Sequence, residues 1–253
     1  MSARRSGPVL YCGDPHGTFR HLIEAAGDTR ASAMVLLGDL EPSRTLHEEL
    51  APLVGSGTEV YFIHGNHDAD SDVLAERVWG SSLDGRSVHG RVVTLPDGTR
   101  LAGLGGVFRA AVWDPASLSA PAFRSRAEHA CATPQQDRWR GGPHRKHLGT
   151  IYPEDVDGLA GLKADILVTH EAPGYHRHGF DLLDTLAQVM GVRVLVHGHH
   201  HDRLDSSAVW NAQGFKSHGV GLRGITAIDV EGCAQVILPG ELDKLRTGRG
   251  GGQ

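Results

Sequence analysis

Short apolar runs of four or five residues recur along this chain, and five of them end on a turn cluster containing Asp, Asn or His. Val9-Leu-Tyr-Cys12 runs into Gly13-Asp-Pro-His-Gly17, Ala33-Met-Val-Leu-Leu37 into Gly38-Asp39, and Glu59-Val-Tyr-Phe-Ile63 into His64-Gly-Asn-His-Asp68. Further on, Ile166-Leu-Val-Thr169 stops at His170, and Val192 to Val196 stops at His197-Gly-His-His-His201. Runs of this length bounded by turn residues read as buried strands. Between them, apolar residues fall at i, i+3, i+4 and i+7, as in Phe19, Leu22, Ile23 and Ala26, the pattern of a helix. The alternation points to an α/β fold.

The same reading predicts helices over Thr45 to Val54, Asp72 to Trp79, Pro153 to Leu162 and Phe180 to Met190, with Pro52 ending or kinking the first of these. Val92 to Leu95 and Arg100 to Leu104, joined by Pro96-Asp-Gly98, read as an antiparallel hairpin. Val209 to Phe215, Gly224 to Asp229 and Ala234 to Leu238 read as terminal strands. Residues 105–150 carry little periodicity. Without repeats or a Pro/Gly-rich linker, the expectation is one domain over 1–246, with 105–150 a candidate specificity insertion and 247–253 a flexible Gly-rich tail.

Composition excludes several classes. With 40% apolar and 22% charged residues, the 253-residue chain can bury a core, which argues against intrinsic disorder. No apolar run approaches the roughly 18 residues of a membrane span, and the opening stretch reads as no secretory signal. Three widely spaced cysteines, Cys12, Cys131 and Cys233, support neither a disulfide framework nor a zinc ribbon and fit a cytoplasmic protein. A formal charge of −5 argues against a general nucleic-acid binder. The unusual count is 17 histidines, the commonest metal ligand and the usual proton carrier near neutral pH.

In open α/β sheets the carboxyl ends of strands line the ligand crevice, so the five polar clusters should converge. Asp14 and His16 are two apart, as are His199 and His201; in extended geometry each pair would face one way, leaving His200 to point elsewhere. Asp39 adds a carboxylate able to bridge two cations, Asn66 a carbonyl oxygen and His170 another imidazole. This nitrogen-and-oxygen set without thiolate suits manganese, iron or zinc. Seven candidates exceed what one tetrahedral ion needs, which argues for two metals.

The ordered series Asp14-Pro-His16, Gly38-Asp39, Gly65-Asn-His-Asp68, Thr169-His170 and Gly198-His-His-His201 resembles the calcineurin-like metallophosphoesterase superfamily. The resemblance implies a four-layer αββα sandwich with two mixed β-sheets. It implies two divalent ions, manganese first, with iron, zinc or nickel as alternatives. One would be held by Asp14, His16, Asp39 and His201, the other by Asp39, Asn66, His170 and His199. It further implies in-line attack of a metal-bridging hydroxide on phosphorus, with His67 protonating the leaving oxygen and Asp68 or another carboxylate orienting its ring.

The Ser/Thr protein phosphatases of that superfamily carry Gly-Asp-x-x-Asp-Arg-Gly, whereas this chain has Gly38-Asp-Leu-Glu-Pro-Ser-Arg44, so the second Asp is missing and the Arg comes one place late. A small phosphorylated substrate, nucleotide-derived among others, is the first expectation. A nuclease is the alternative. A non-catalytic binding module is the third reading, disfavoured because every expected ligand and His67 are kept. Residues 105–150 hold seven Arg or Lys against three acidic residues, a net of +4 that leaves −9 for the rest. With Trp113, Phe123 and Trp139 among them, they form either a surface for a base and phosphate or a structural loop. Arg44 is read as a helix-start arginine and Gly174 to Gly179 as an exposed turn.

Overall fold

The computed structural model describes residues 7–243, so the expected tail at 247–253 lies outside the described residues. Ten strands make two five-stranded mixed sheets. The first has the order β10-β9-β1-β2-β3 and is built from β1 (Val9–Cys12), β2 (Ala33–Leu37), β3 (Glu59–Ile63), β9 (Ile225–Ile228) and β10 (Ala234–Leu238). The second has the order β4-β5-β6-β7-β8, from β4 (Val92–Thr94), β5 (Arg100–Leu104), β6 (Ile166–Thr169), β7 (Val194–His197) and β8 (Lys216–Gly219). β1, β2 and β3 run parallel in one sheet, and β5 through β8 run parallel in the other. The expected hairpin is present as antiparallel β4 and β5, with Val93 opposite Leu101.

Strand alternation sorts the apolar residues into three slabs. Val9, Tyr11, Val35 and Leu37 meet Leu101, Ile166, Val168 and Val196 between the sheets. Leu10, Met34, Leu36 and Phe62 face outward onto α1 (Arg20–Asp28), α2 (Leu46–Gly55) and α3 (Asp72–Trp79), through Leu22, Leu50 and Val78. On the far side Leu104, Leu167 and Leu195 pack against α5 (Pro153–Ala160) and α6 (Asp181–Met190), which follow α4 (Arg126–Ala132) of the 105–150 segment. Both faces of each sheet are covered, as the long apolar runs require. The result is the αββα sandwich.

Two local expectations need correcting. Pro52 does not end α2, which runs on to Gly55. The Glu48 carbonyl forgoes its partner, but a capping box between Thr45 and Glu48 starts the helix, and buried Leu46, Leu50 and Leu53 hold it down. The strand expected over Val209 to Phe215 is instead a helical turn, α7 (Trp210–Gln213), closed by Gly214 at φ 77°. The Trp210 indole donates to the Ser206 hydroxyl at 3.0 Å, which fixes that turn; the strand proper starts at Lys216.

Candidate metal centre

The five clusters do converge, and they draw on both sheets: those after β1, β2 and β3 from one, those after β6 and β7 from the other. Their backbone is not extended. Asp14, His16, Asp39, Glu41, His199 and His201 all have φ between 40° and 68°, six of the nine non-glycine residues with positive φ among those described. The pairs two apart are therefore aimed by tight turns rather than by strand pleat. Such left-handed positions cost roughly 1–3 kcal/mol each and persist where the surroundings fix them. Here His16 and Gly17 donate their amides to the carbonyls of Asp39 and Leu40 at 3.0 and 2.9 Å, tying the first cluster to the second.

Asp39, 1% exposed, is the hub. Its Oδ2 lies 4.0 Å from His16 Nε2, and its Oδ1 lies 3.5 Å from His170 Nε2. His16, Asp39 and His201 offer ligand atoms within 4.8 Å of one another, and so do Asp39, His170 and His199. His16 Nε2 is 3.1 Å from His201 Nε2, and His170 Nε2 is 3.2 Å from Asn66 Oδ1. Asp14 is fully buried and accepts the His199 amide on both oxygens at 3.0 Å. All seven expected ligands thus meet at one place.

Second partners aim the rings. His170 donates from Nδ1 to the Leu37 carbonyl at 2.7 Å, which turns Nε2 toward Asp39. His16 Nδ1 pairs with Glu41, leaving Nε2 for Asp39 and His201. Backing of this kind is what metal-binding imidazoles use to fix their tautomer. Burial pushes Asp14 up to about 7, whereas His170 and the His67 amide overcome burial to hold Asp39 below the usual carboxylate range. Burial opposes a charged His170, yet Asp39 and Asp14 drive it up to about 10. Burial lowers His199 to about 3 and lowers His201, leaving both rings neutral with lone pairs to offer. Buried carboxylates clustered with imidazoles, those of His199 and His201 neutral, make a nitrogen-and-oxygen set that suits divalent cations.

His67 stands beside this centre, its ring centroid 5.8 Å from that of His16. The carboxylate at its ring is Asp70, with Oδ2 2.6 Å from Nδ1. Burial lowers its pKa, but the Asp70 hydrogen bond and the Asp39 charge outweigh burial and raise it. Asp68 does not take the orienting role: it is fully buried and accepts the amides of Leu40, Glu41 and Gly65 at 2.8, 2.9 and 2.8 Å. It ties the Asp39 turn to the Asn66 turn. Asp70 and Glu41 were missed, although Asp70 lies one helical turn after His67 and Glu41 two residues after Asp39.

The 105–150 segment is mostly committed to the protein itself. Arg124 pairs with Asp157, Arg126 with Asp155 and Arg140 with Glu76, while Arg138 donates to the Thr133 carbonyl. Arg145 grips the His67 turn through the carbonyls of Ala69 and Asp70 at 2.9 and 3.0 Å. The aromatics are engaged too: Phe123 stacks on His129 at 4.1 Å, Trp113 meets Phe108 edge-on, and Trp139 lies under Arg140. Of the two readings of this segment, the structural loop is the one its contacts favour. Arg44 is exposed and pairs with Glu49, as expected. The Gly174 to Gly179 turn is exposed at Arg177 and His178 as expected, but its His176 is buried and stacks on His200 at 4.0 Å.

A double-sheet sandwich carrying a histidine-carboxylate centre at its strand ends defines a metallo-dependent phosphatase-like protein. A sequence model of calcineurin-like phosphoesterases matches residues 7–203, and the chain belongs to that family, whose members hydrolyse phosphoesters with metal ions. An uncharacterized protein of Haemophilus influenzae is 38% identical over 224 residues, 88% of this chain and 94% of that protein. Among solved structures, TT1561 of Thermus thermophilus superposes with a TM-score of 0.56 at 16% identity, over 91% of this chain and 99% of its own. A second gives 0.55 at 11% identity, over 90% and 97%. At such identities the two share the fold.

Proposed function

We propose that this protein is a two-metal phosphoesterase acting on small phosphomonoesters or phosphodiesters, nucleotide-derived esters among them, in the cytoplasm. The observation that carries the reading is Asp39: one buried carboxylate with His16 beside one oxygen and His170 beside the other, which falls in one group with His16 and His201 and in a second with His170 and His199. Asp14, His16, Asp39 and His201 would hold one ion, and Asp39, Asn66, His170 and His199 the second. Manganese is the first candidate. When bound, the ions supply an acidified water and positive charge against the phosphoryl oxygens. His67, its Nδ1 occupied by Asp70, keeps Nε2 for the proton that the leaving oxygen takes up. Asp70 fixes the ring, and Arg145 fixes the turn that carries both.

The nuclease reading has less support, because five of the seven cations in the basic segment are spent on acceptors within the protein. Free cysteines at 12, 131 and 233 agree with a reducing compartment, and no helix among the described residues is long and apolar enough to cross a membrane. The test is metal-reconstituted protein assayed against phosphomonoesters, cyclic nucleotides, dinucleoside polyphosphates and plasmid DNA. Turnover of a small ester that vanishes in Asp39→Ala supports the proposal. Turnover of DNA alone, or of nothing with two ions bound, sinks it.

A further inference from the structure

Next to the centre, a group of potential ligands has no role in the reading above. Glu171 follows His170 at the end of β6 and is 5% exposed. Its Oε2 lies 3.8 Å from His199 Nε2 and 3.9 Å from His200 Nε2, and ligand atoms of the three residues all fall within 4.8 Å. Its other oxygen accepts only a long bond from the Phe108 amide, at 3.3 Å. His200 Nε2 is buried without a hydrogen-bond partner. A buried carboxylate and a buried ring nitrogen left this open are expensive unless something sits between them.

The spacing leaves room for a cation. The pairs that orient rings close to hydrogen-bond length, His67 to Asp70 at 2.6 Å and His16 to Glu41 at 2.5 Å. The pairs of the metal centre stand apart, at 3.5 Å for His170 to Asp39 and 4.0 Å for His16 to Asp39. Glu171 falls in the second class. With bonds of about 2.1 Å, two ligands of one ion lie roughly 3–4 Å apart, which brackets the gaps seen here. A carboxylate and an imidazole, with water at the remaining positions, are ligand types that zinc takes.

We propose that Glu171 and His200 hold a third divalent cation beside the pair, with zinc the best-matched ion. His199 is common to this group and to the pair, and bridging would cost its ring the N–H proton. Glu171 and His200 are therefore the firm ligands, with water completing the shell. His200 is held in place from behind by His176, stacked at 4.0 Å and 21°, and His176 Nε2 lies 3.7 Å from Asp202.

The test is zinc-loaded protein, freed of unbound ion by gel filtration, examined by metal analysis and by anomalous diffraction at the zinc edge. The parent, Glu171→Gln and His200→Phe are compared, the last keeping an aromatic ring on His176. The expected result is a peak between Glu171 and His200 in the parent, with one zinc fewer per chain in each variant and the pair still occupied. An occupied pair with no peak at Glu171 overturns the proposal. So does a Glu171→Gln protein that loses instead the ion at His170 and His199, since Glu171 would then only orient His199. Asp39→Ala separates this proposal from the dinuclear reading: it empties the pair and keeps the third peak. A parent lacking the pair's peaks but showing this one refutes the dinuclear reading alone.

Discussion

Gly65 has no room for a side chain: a Cβ there would stand 2.1 Å from Asp39 Oδ1 and 2.3 Å from its backbone nitrogen. The Asp39 turn and the Asn66 turn touch through bare backbone, and Asp68 laces them together with three amide bonds. Gly65→Ala should therefore displace Asp39 and cost the protein its bound metal while the fold survives, read by metal content beside a circular dichroism spectrum; full metal occupancy would refute this. His67 makes a different prediction. His67→Ala should keep both ions yet lose about 10²–10⁴ in turnover on an alkyl phosphate, the range for general acid help. The loss should shrink for a nitrophenyl ester, whose leaving group needs little protonation. Equal losses on both esters would remove the proton-donor role. At this scale the candidate ligands were legible because each sits in a turn cluster after a strand. Asp68 misled because sequence order says nothing of which carboxylate turns inward; its side chain went to three backbone donors, and Asp70 took the ring.

Most strands and helices were readable from period alone, since a run such as Ala33 to Leu37 is buried on both faces and has no polar alternative. The 105–150 segment was not, because its order comes from distant partners rather than local pattern. Arg126 shows this: it leaves the start of α4 to meet Asp155 in α5, the Thr150 carbonyl at 3.1 Å and the face of Tyr152 at 4.8 Å. Asp155, nearly buried, also lies 3.3 Å from His89 and accepts the Tyr152 amide at 2.8 Å. Burial alone would raise its pKa, but the His89 hydrogen bond and the Arg126 charge hold it below the usual carboxylate range. A carboxylate depressed in the folded state stabilises the protein fully above its unfolded value, about 3.9, and loses that contribution as pH falls toward its folded value. Asp155→Asn should cost about 3 kcal/mol at pH 7, as when one partner of a buried pair is removed. Urea unfolding should show the gap between parent and variant narrowing below about pH 4. A gap that stayed constant into acid would mean that the Asp155 charge does not anchor the segment.

At the scale of the whole molecule, the centre lies where the two sheets meet. Asp14, Asp39 and Asn66 follow strands of one sheet, and His170, His199 and His201 follow strands of the other. The sandwich was legible through the resemblance, but composition could not reveal that the ligands straddle the interface between its halves, because that depends on which strands share a sheet. An ion bound there ties together two layers otherwise joined by apolar contacts such as Tyr11 and Val35 against Val168 and Val196. Because it binds only the folded chain, it stabilises by mass action, about 4 kcal/mol when free metal exceeds the dissociation constant a thousandfold. For a chain of this size that is a rise of roughly 10 °C in Tm. Calorimetry of chelated protein titrated with manganese should thus show Tm climbing with the logarithm of free metal. Asp39→Ala, without the shared carboxylate, should give a markedly shallower line. If the parent line were flat while metal analysis found both ions bound, the ions would not be selecting the folded chain, and a centre assembled from both sheets only on folding would not be what holds them.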